Sequence, residues 1–309
     1  MTPVDPPRDR GMSVRAWGLF VTVAVLWGIP YAFIKIAVDD GISPGFLAWA
    51  RVVLAAGVLL GVSAAAGILG QLRGRWRWIA AYALVEIAIP FPLIGFGEQR
   101  VSSSLTAILI AAAPSFVALL ALRLVPGERI TGTRLVGLVV GLGGVVALVG
   151  IDVAGSSREL VGAAAILLAA LGYAVGPMIL SRRLQDLDAR ATMAGATVVG
   201  GLLLTPLAIA HPPHEVPSGG GLAAIAVLGL LCTALAFVTY GRLVGDVGPG
   251  RASIVTYVAP VFATALGVIA LDEHVGAGAA VGLVLILAGS WLSTGGRLRR
   301  RRLADPPPG

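Results

Sequence analysis

Ten apolar runs, each close to the roughly 20 residues that cross a bilayer as a helix, leave this chain little choice of fold. They cover about 16–38, 44–69, 77–97, 102–124, 132–151, 160–181, 190–210, 221–241, 251–271 and 276–296, with charged or Gly/Pro-rich stretches between them. Only 13% of the residues are charged, about half the share in a soluble domain. Glycine, at 42 residues, is abundant in the way of membrane helices. The reading is an all-α integral membrane protein of about ten transmembrane helices.

Charge then orients the spans. The net charge is +7, which by itself would suit a nucleic-acid binder, but the arginines sit between apolar runs and so speak to topology instead. With a cytoplasmic N-terminus, 19 basic residues fall in inner segments, from Arg8 and Arg15 through Arg75, Arg129, Arg183 and Arg242 to Arg299–Arg302. Only Lys35, Arg51, Arg100 and Arg158 fall in the outer half. That imbalance places both termini in the cytoplasm. The single cysteine, Cys232, lies inside an apolar run, and the chain has no asparagine to glycosylate. These features suit a bacterial inner membrane. The first run follows Arg8, Arg10 and Arg15 without a small-residue cleavage site and reads as a retained signal anchor. Residues 1–14 read as a disordered cytoplasmic start. Residues 297–309 read as an Arg-rich cytoplasmic tail, a stop-transfer signal that can also meet anionic lipid headgroups.

The chain repeats itself at an offset of 146 residues. "SSLTAILIAAAPSFVALLA" around Pro114 lies over "PGRASIVTYVAPVFATALG" around Pro260. Trp27 falls on Tyr173, Phe91 on Phe237 and, with one residue lost, Glu128 on Glu273. Each unit, 15–151 and 158–296, holds five spans. An odd number turns the second unit upside down relative to the first. Inverted repeats of this kind are a transporter architecture, with the substrate site near the midplane between the halves and alternating access as the mode of action.

On "LWGIPYAFIKIA" in the first span, "GISPGFLAWARVVLAA" leading into the second, and the pair "AAAPSFVALLALRLVPGE" and "VAPVFATALGVIALDE", the chain resembles the drug/metabolite transporter superfamily in its ten-helix EamA-type branch. The resemblance runs over essentially all of residues 15–296. It implies export of metabolites, amino acids or toxic compounds. The second half departs from the pattern where Tyr173 and Ser181 replace Trp27 and Lys35.

Several residues are candidates for the transport chemistry. Glu86 stands about ten residues from either end of the third span, roughly 15 Å from each surface. A charge at that depth costs about 2.5–3.5 kcal/mol and must face protein or a water-filled cavity. A carboxyl there either couples transport to protons or touches substrate, or is a protonated acid that satisfies a neighbouring helix. Tyr82, one turn earlier on the same face, is placed to hydrogen-bond it. The repeat mate of Glu86 is Cys232, so only one half carries the acid. Pro114 and Pro260 free the carbonyls of Ile110 and Thr256 inside membrane helices, and Pro90 begins a third break. Each is a hinge or a static kink. Trp27, Tyr31, Tyr173, Thr256 and Tyr257 are candidates to line the cavity, against a plain packing role. Tyr240 and Trp49 fit interfacial anchors, and Lys35 and Arg51 are expected to snorkel to the interface or pair with Asp39 or Asp40. Gly137-x-x-x-Gly141 and Gly278-x-x-x-Gly282 permit close helix packing, within the monomer or in a homodimer.

Other classes fit less well. The His-Glu-x-x-His zinc motif is missing, and His211, His214 and His274 all fall in outer loops, so an enzyme is not expected and no cofactor is implied. The one lysine is near a span end, which does not suit a retinal protein. The spans lack the polar ring of a channel. No nucleotide-binding loop appears, which leaves facilitated diffusion or ion coupling. The partners implied are a small-molecule substrate and membrane lipids, not nucleic acid. A flippase of a lipid or lipid-linked amphiphile is the alternative.

Overall fold

The computed structural model describes residues 12–124, 132–213 and 215–293. Most of the N-terminal segment, Glu128, His214 and the tail 297–309 lie outside the described residues. The rest is helical, with no strand among the described residues. Ten helices follow the ten apolar runs: α1 Val14–Asp39, α2 Pro44–Ala65, α3 Trp76–Glu98, α4 Ser103–Ala121, α5 Thr133–Val153, α6 Ser157–Leu184, α7 Ala189–Ala210, α8 Gly219–Val247, α9 Val255–Leu271 and α10 Ala277–Ser293.

Local chemistry explains where these helices begin. The first backbone N–H groups of a helix have no partner inside it, and lipid offers none. Ser13, Ser43, Ser102, Ser156, Asp188 and Ser218 each precede a helix and accept from one or more of those groups. Pro44 follows its cap at the first helical position, where a missing N–H costs nothing.

Two helix starts are capped across the repeats. Glu273, between α9 and α10, accepts from Ser103 N (2.7 Å), Ser104 N (2.9 Å) and Ser104 Oγ (2.6 Å) at the start of α4. Asp152, at the end of α5, accepts from Gly278 N (3.0 Å) and Ala279 N (2.6 Å) at the start of α10. An acid at a helix N-terminus also meets the positive end of the helix dipole.

The most extensive contact joins the repeat mates α5 and α10, followed by α2 with its mate α7 and α3 with α6. Glycine makes the first of these possible. A Cβ on Gly289 would land on the backbone of Gly141, and one on Gly137 would meet the backbone of Ser293. The Gly-x-x-x-Gly stripes therefore pack α5 on α10 within one chain. Large apolar side chains cover the outside instead, with Val146 at 71% and Ile269 at 79% exposure. Such an apolar surface needs lipid against it.

Several helices depart from α geometry. α1 breaks at Ile29, ahead of Pro30. Leu84–Ala88 in α3 and Val227–Leu235 in α8 run as π-helix, and they occupy the same place in the two repeats. The helix of Pro114 breaks at Ala111–Ala112, where Ser290 Oγ of α10 donates to the Ala111 carbonyl at 3.2 Å. Pro260 sits inside continuous α9, and the break in that half falls seven residues earlier, at Ser253–Ile254. The two prolines thus have unlike surroundings.

Candidate functional site

Glu86 stands in the π segment of α3, four residues ahead of Pro90. π turns inside helices recur at functional sites. The carboxylate lies against Gly176 of α6, where a Cβ would overlap Oε2. That oxygen is enclosed and has no hydrogen-bond partner. Gly172, one turn away, also brings α6 close to α3, at the Val85 carbonyl. α3 belongs to the first repeat and α6 to the second, so the acid sits where the halves meet.

Tyr82 is buried at 4% exposure, but its hydroxyl donates to Met193 Sδ at 3.9 Å rather than to Glu86. The π turn that begins at Leu84 breaks the four-residue stacking on which the sequence expectation rested. Tyr82 stays within electrostatic reach of Glu86, Tyr240 and Tyr173. Tyr173 in turn lies within reach of Tyr31, Glu86 and Arg51. Trp27 packs its ring 4.7 Å from Tyr240 and edge-on to Phe237 at 6.4 Å. Of the sequence-predicted residues, Tyr173 therefore lies within electrostatic reach of Glu86, Tyr31 lies within reach of Tyr173, and Trp27 stacks on Tyr240, which turns inward instead of anchoring at an interface. The Thr256 hydroxyl donates to the Ser253 carbonyl at 2.7 Å and that of Tyr257 to the Ser290 carbonyl at 3.4 Å.

The structure adds two charges that the sequence reading did not place here. Arg51 does not snorkel: it is 6% exposed, donates to Thr233 Oγ1 of α8 at 3.2 Å and lies over the Phe91 ring at 4.1 Å. Its position seven residues into the second run was the available signal. Glu98 is 0% exposed, and neither carboxylate oxygen has a hydrogen-bond partner. It closes α3 one residue beyond the expected end of that span. Lys35 pairs with Asp39 at 2.7 Å.

The two membrane faces of the protein differ. On the arginine-poor face a cavity of about 830 Å³ is lined by Lys35, Arg100, Arg158, Glu159, Glu273 and His274, among others. Glu273, fixed to the start of α4, lies in its wall. On the arginine-rich face, Arg75 pairs with Asp186 and also donates to the Arg183 carbonyl at 3.1 Å. Beside it the Asp188 N–H donates to Gln71 Oε1 at 2.8 Å. Asp188 bonds Arg190 as well, which holds its carboxyl below the usual aspartate range.

A helical membrane protein of two five-span repeats, with buried charges where the repeats meet, has the architecture of a secondary transporter. The chain belongs to the EamA-like transporter family, whose model matches it twice, at residues 15–150 and 160–295. It is 30% identical to the "probable terminal-alkyne amino-acid exporter" of Streptantibioticus cattleyicolor, over 96% of this chain and 98% of that one. It is 28% identical to the uncharacterized inner membrane transporter YedA of Escherichia coli K12, over 81% of each. A solved crystal structure at 23% identity superposes with a TM-score of 0.66 over 93% of this chain and 99% of that one, which speaks to the fold alone. Family and relatives together make this chain a multi-pass membrane transporter of small molecules and not an enzyme.

Proposed function

We propose that the chain exports small metabolites, amino acids or toxic compounds across a bacterial inner membrane by alternating access, coupled to protons through Glu86. Both termini are cytoplasmic in this reading, the repeats span 15–151 and 158–296, and the arginine-rich face looks inward. The carrying observation is Glu86 itself: an enclosed carboxylate oxygen without a partner, at mid-depth, pressed on Gly176 of the other repeat. A carboxylate held so is costly when ionised, so it changes protonation as water gains or loses access. Tyr82, Tyr173, Tyr31 and Trp27 line the path on either side of it. Pro90, Pro114 and Pro260 mark the hinges about which the halves exchange conformation. The exporter named for amino acids supports that substrate class here, being related over nearly the whole chain. Lipid covers the apolar belt. A homodimer, where one forms, uses that belt, because the glycine stripes are occupied within the chain.

The test is to profile the spent medium of cells that express the wild type, Glu86→Gln or nothing. A compound enriched by the wild type alone supports both export and the role of the acid. Equal enrichment by the variant removes the proton role, and no enrichment removes the exporter.

A further inference from the structure

Two opposite charges in the interior do not meet. Arg51 of α2 and Glu98 of α3 are both buried. Arg51 leaves Nε, and Glu98 both carboxylate oxygens, without a hydrogen-bond partner. Among the described residues no ion pair joins them. In a low-dielectric interior unlike charges attract strongly, and each one left bare is costly.

Their placement is specific. Arg51 lies over Phe91, which precedes Glu98 by seven residues, two turns of helix. Phe91 and Glu98 therefore share a face of α3, about 10 Å apart along its axis. Tyr31 lies within electrostatic reach of both charges. Tyr173 and Cys232 lie within electrostatic reach of the arginine. Glu273, Lys35 and Asp39 are the other charged groups acting on Glu98.

We infer that Arg51 and Glu98 together receive a zwitterion, an α-amino acid held by its carboxylate on Arg51 and its ammonium on Glu98. An anion alone would leave Glu98 bare, and a cation alone would leave Arg51 bare. A ligand with both ends satisfies the three orphaned atoms together. The planar guanidinium suits a carboxylate, to which it offers paired donors, and Thr233 and Phe91 already fix its plane. This inference rests on the transporter reading above and names its substrate class.

The test uses the full-length protein in lipid nanodiscs, with thermal unfolding followed in the presence of each of the twenty common L-amino acids. For any that stabilises, its methyl ester (ammonium only) and its N-acetyl derivative (carboxylate only) are compared with it. At least one amino acid is expected to stabilise the protein, with both blocked forms binding at least tenfold more weakly. Glu98→Gln, which keeps the shape, should bring the N-acetyl form to within threefold of the parent. Arg51→Gln should do the same for the methyl ester, and Arg51→Lys should restore the preference. The inference is overturned if none of the twenty stabilises, if blocking either end leaves affinity unchanged, or if Glu98→Gln still rejects the N-acetyl form. Should Arg51→Gln fail to fold, Glu98→Gln decides alone. No gradient is present, so intact zwitterion binding without gradient-driven export would sink the exporter and leave this site standing. Export without zwitterion selectivity would do the reverse.

Discussion

The π segment of α3 and that of α8 are the same piece of backbone used twice, with Glu86 in one and Cys232 at the matching position of the other. The contrast extends to other pairs of mates. Arg51 answers to Thr197, whose hydroxyl turns back on the Met193 carbonyl at 2.8 Å, and Glu98 answers to Val244. One loop-tying acid is kept in both halves. Asp40 accepts from the Ser218 N–H at 2.9 Å, and its mate Asp186 pairs with Arg75. Duplication preserved the scaffold on both sides, whereas the mid-membrane charges stand on one. The pseudo-symmetry therefore describes how the molecule is built and moves, and the ligand meets an asymmetric surface.

Substitutions that separate scaffold from chemistry test this contrast. The largest loss of stability is expected at the mate-to-mate contact of α5 and α10. Gly289→Ala pushes a methyl into the backbone of Gly141, which cannot yield as a side chain can, and should cost about 3 kcal/mol, read as a fall in unfolding temperature in detergent. Unchanged stability would show that this contact is looser than the scaffold view requires. Gly176→Ala should behave in the opposite sense. Its methyl meets only the end of the Glu86 side chain, so stability should move by less than about 1 kcal/mol while gradient-driven transport falls about tenfold. If both drop together, Glu86 belongs to the scaffold.

Smaller effects sharpen the same comparison. Glu273→Gln removes a charged cap and should cost about 1 kcal/mol, with Asp152→Asn costing a similar amount. A much larger loss from one of them would show that the cross-repeat caps are not equivalent. Cys232→Ala should leave transport within about twofold of the wild type, since the one-sided view gives the thiol no chemistry. Asp188 should contribute least. Its folded pKa is depressed by Arg190, so its stabilisation is present above the ordinary aspartate value near 4 and fades as pH falls through the lower folded one. The difference in unfolding temperature between wild type and Asp188→Ala should shrink as pH is lowered from about 4.

Ten helices and two repeats were legible because lipid demands long apolar runs and because a 146-residue offset survives in Pro114, Pro260 and the aromatics. Glu86 was legible because nothing else charged lies between Arg77 and the far end of the third span. Arg51 was visible but misplaced, since a long arginine seven residues into a span reads as able to reach the surface. Only the packing against Phe91 and Thr233 shows that it turns inward. Glu98 fell just past the apolar run, where hydropathy takes it for loop. The π segments carry no hydropathy signature, and for that reason the predicted bond from Tyr82 to Glu86 fails.

The cross-repeat caps set a schedule for the newborn chain. Ser103 and Ser104 wait for a residue 170 and 169 positions further on, which at ordinary synthesis speeds is roughly 10–30 seconds. Through that interval the first five helices sit in the bilayer with α4 lacking its cross-repeat carboxylate. Asp152, already made, waits for the start of α10.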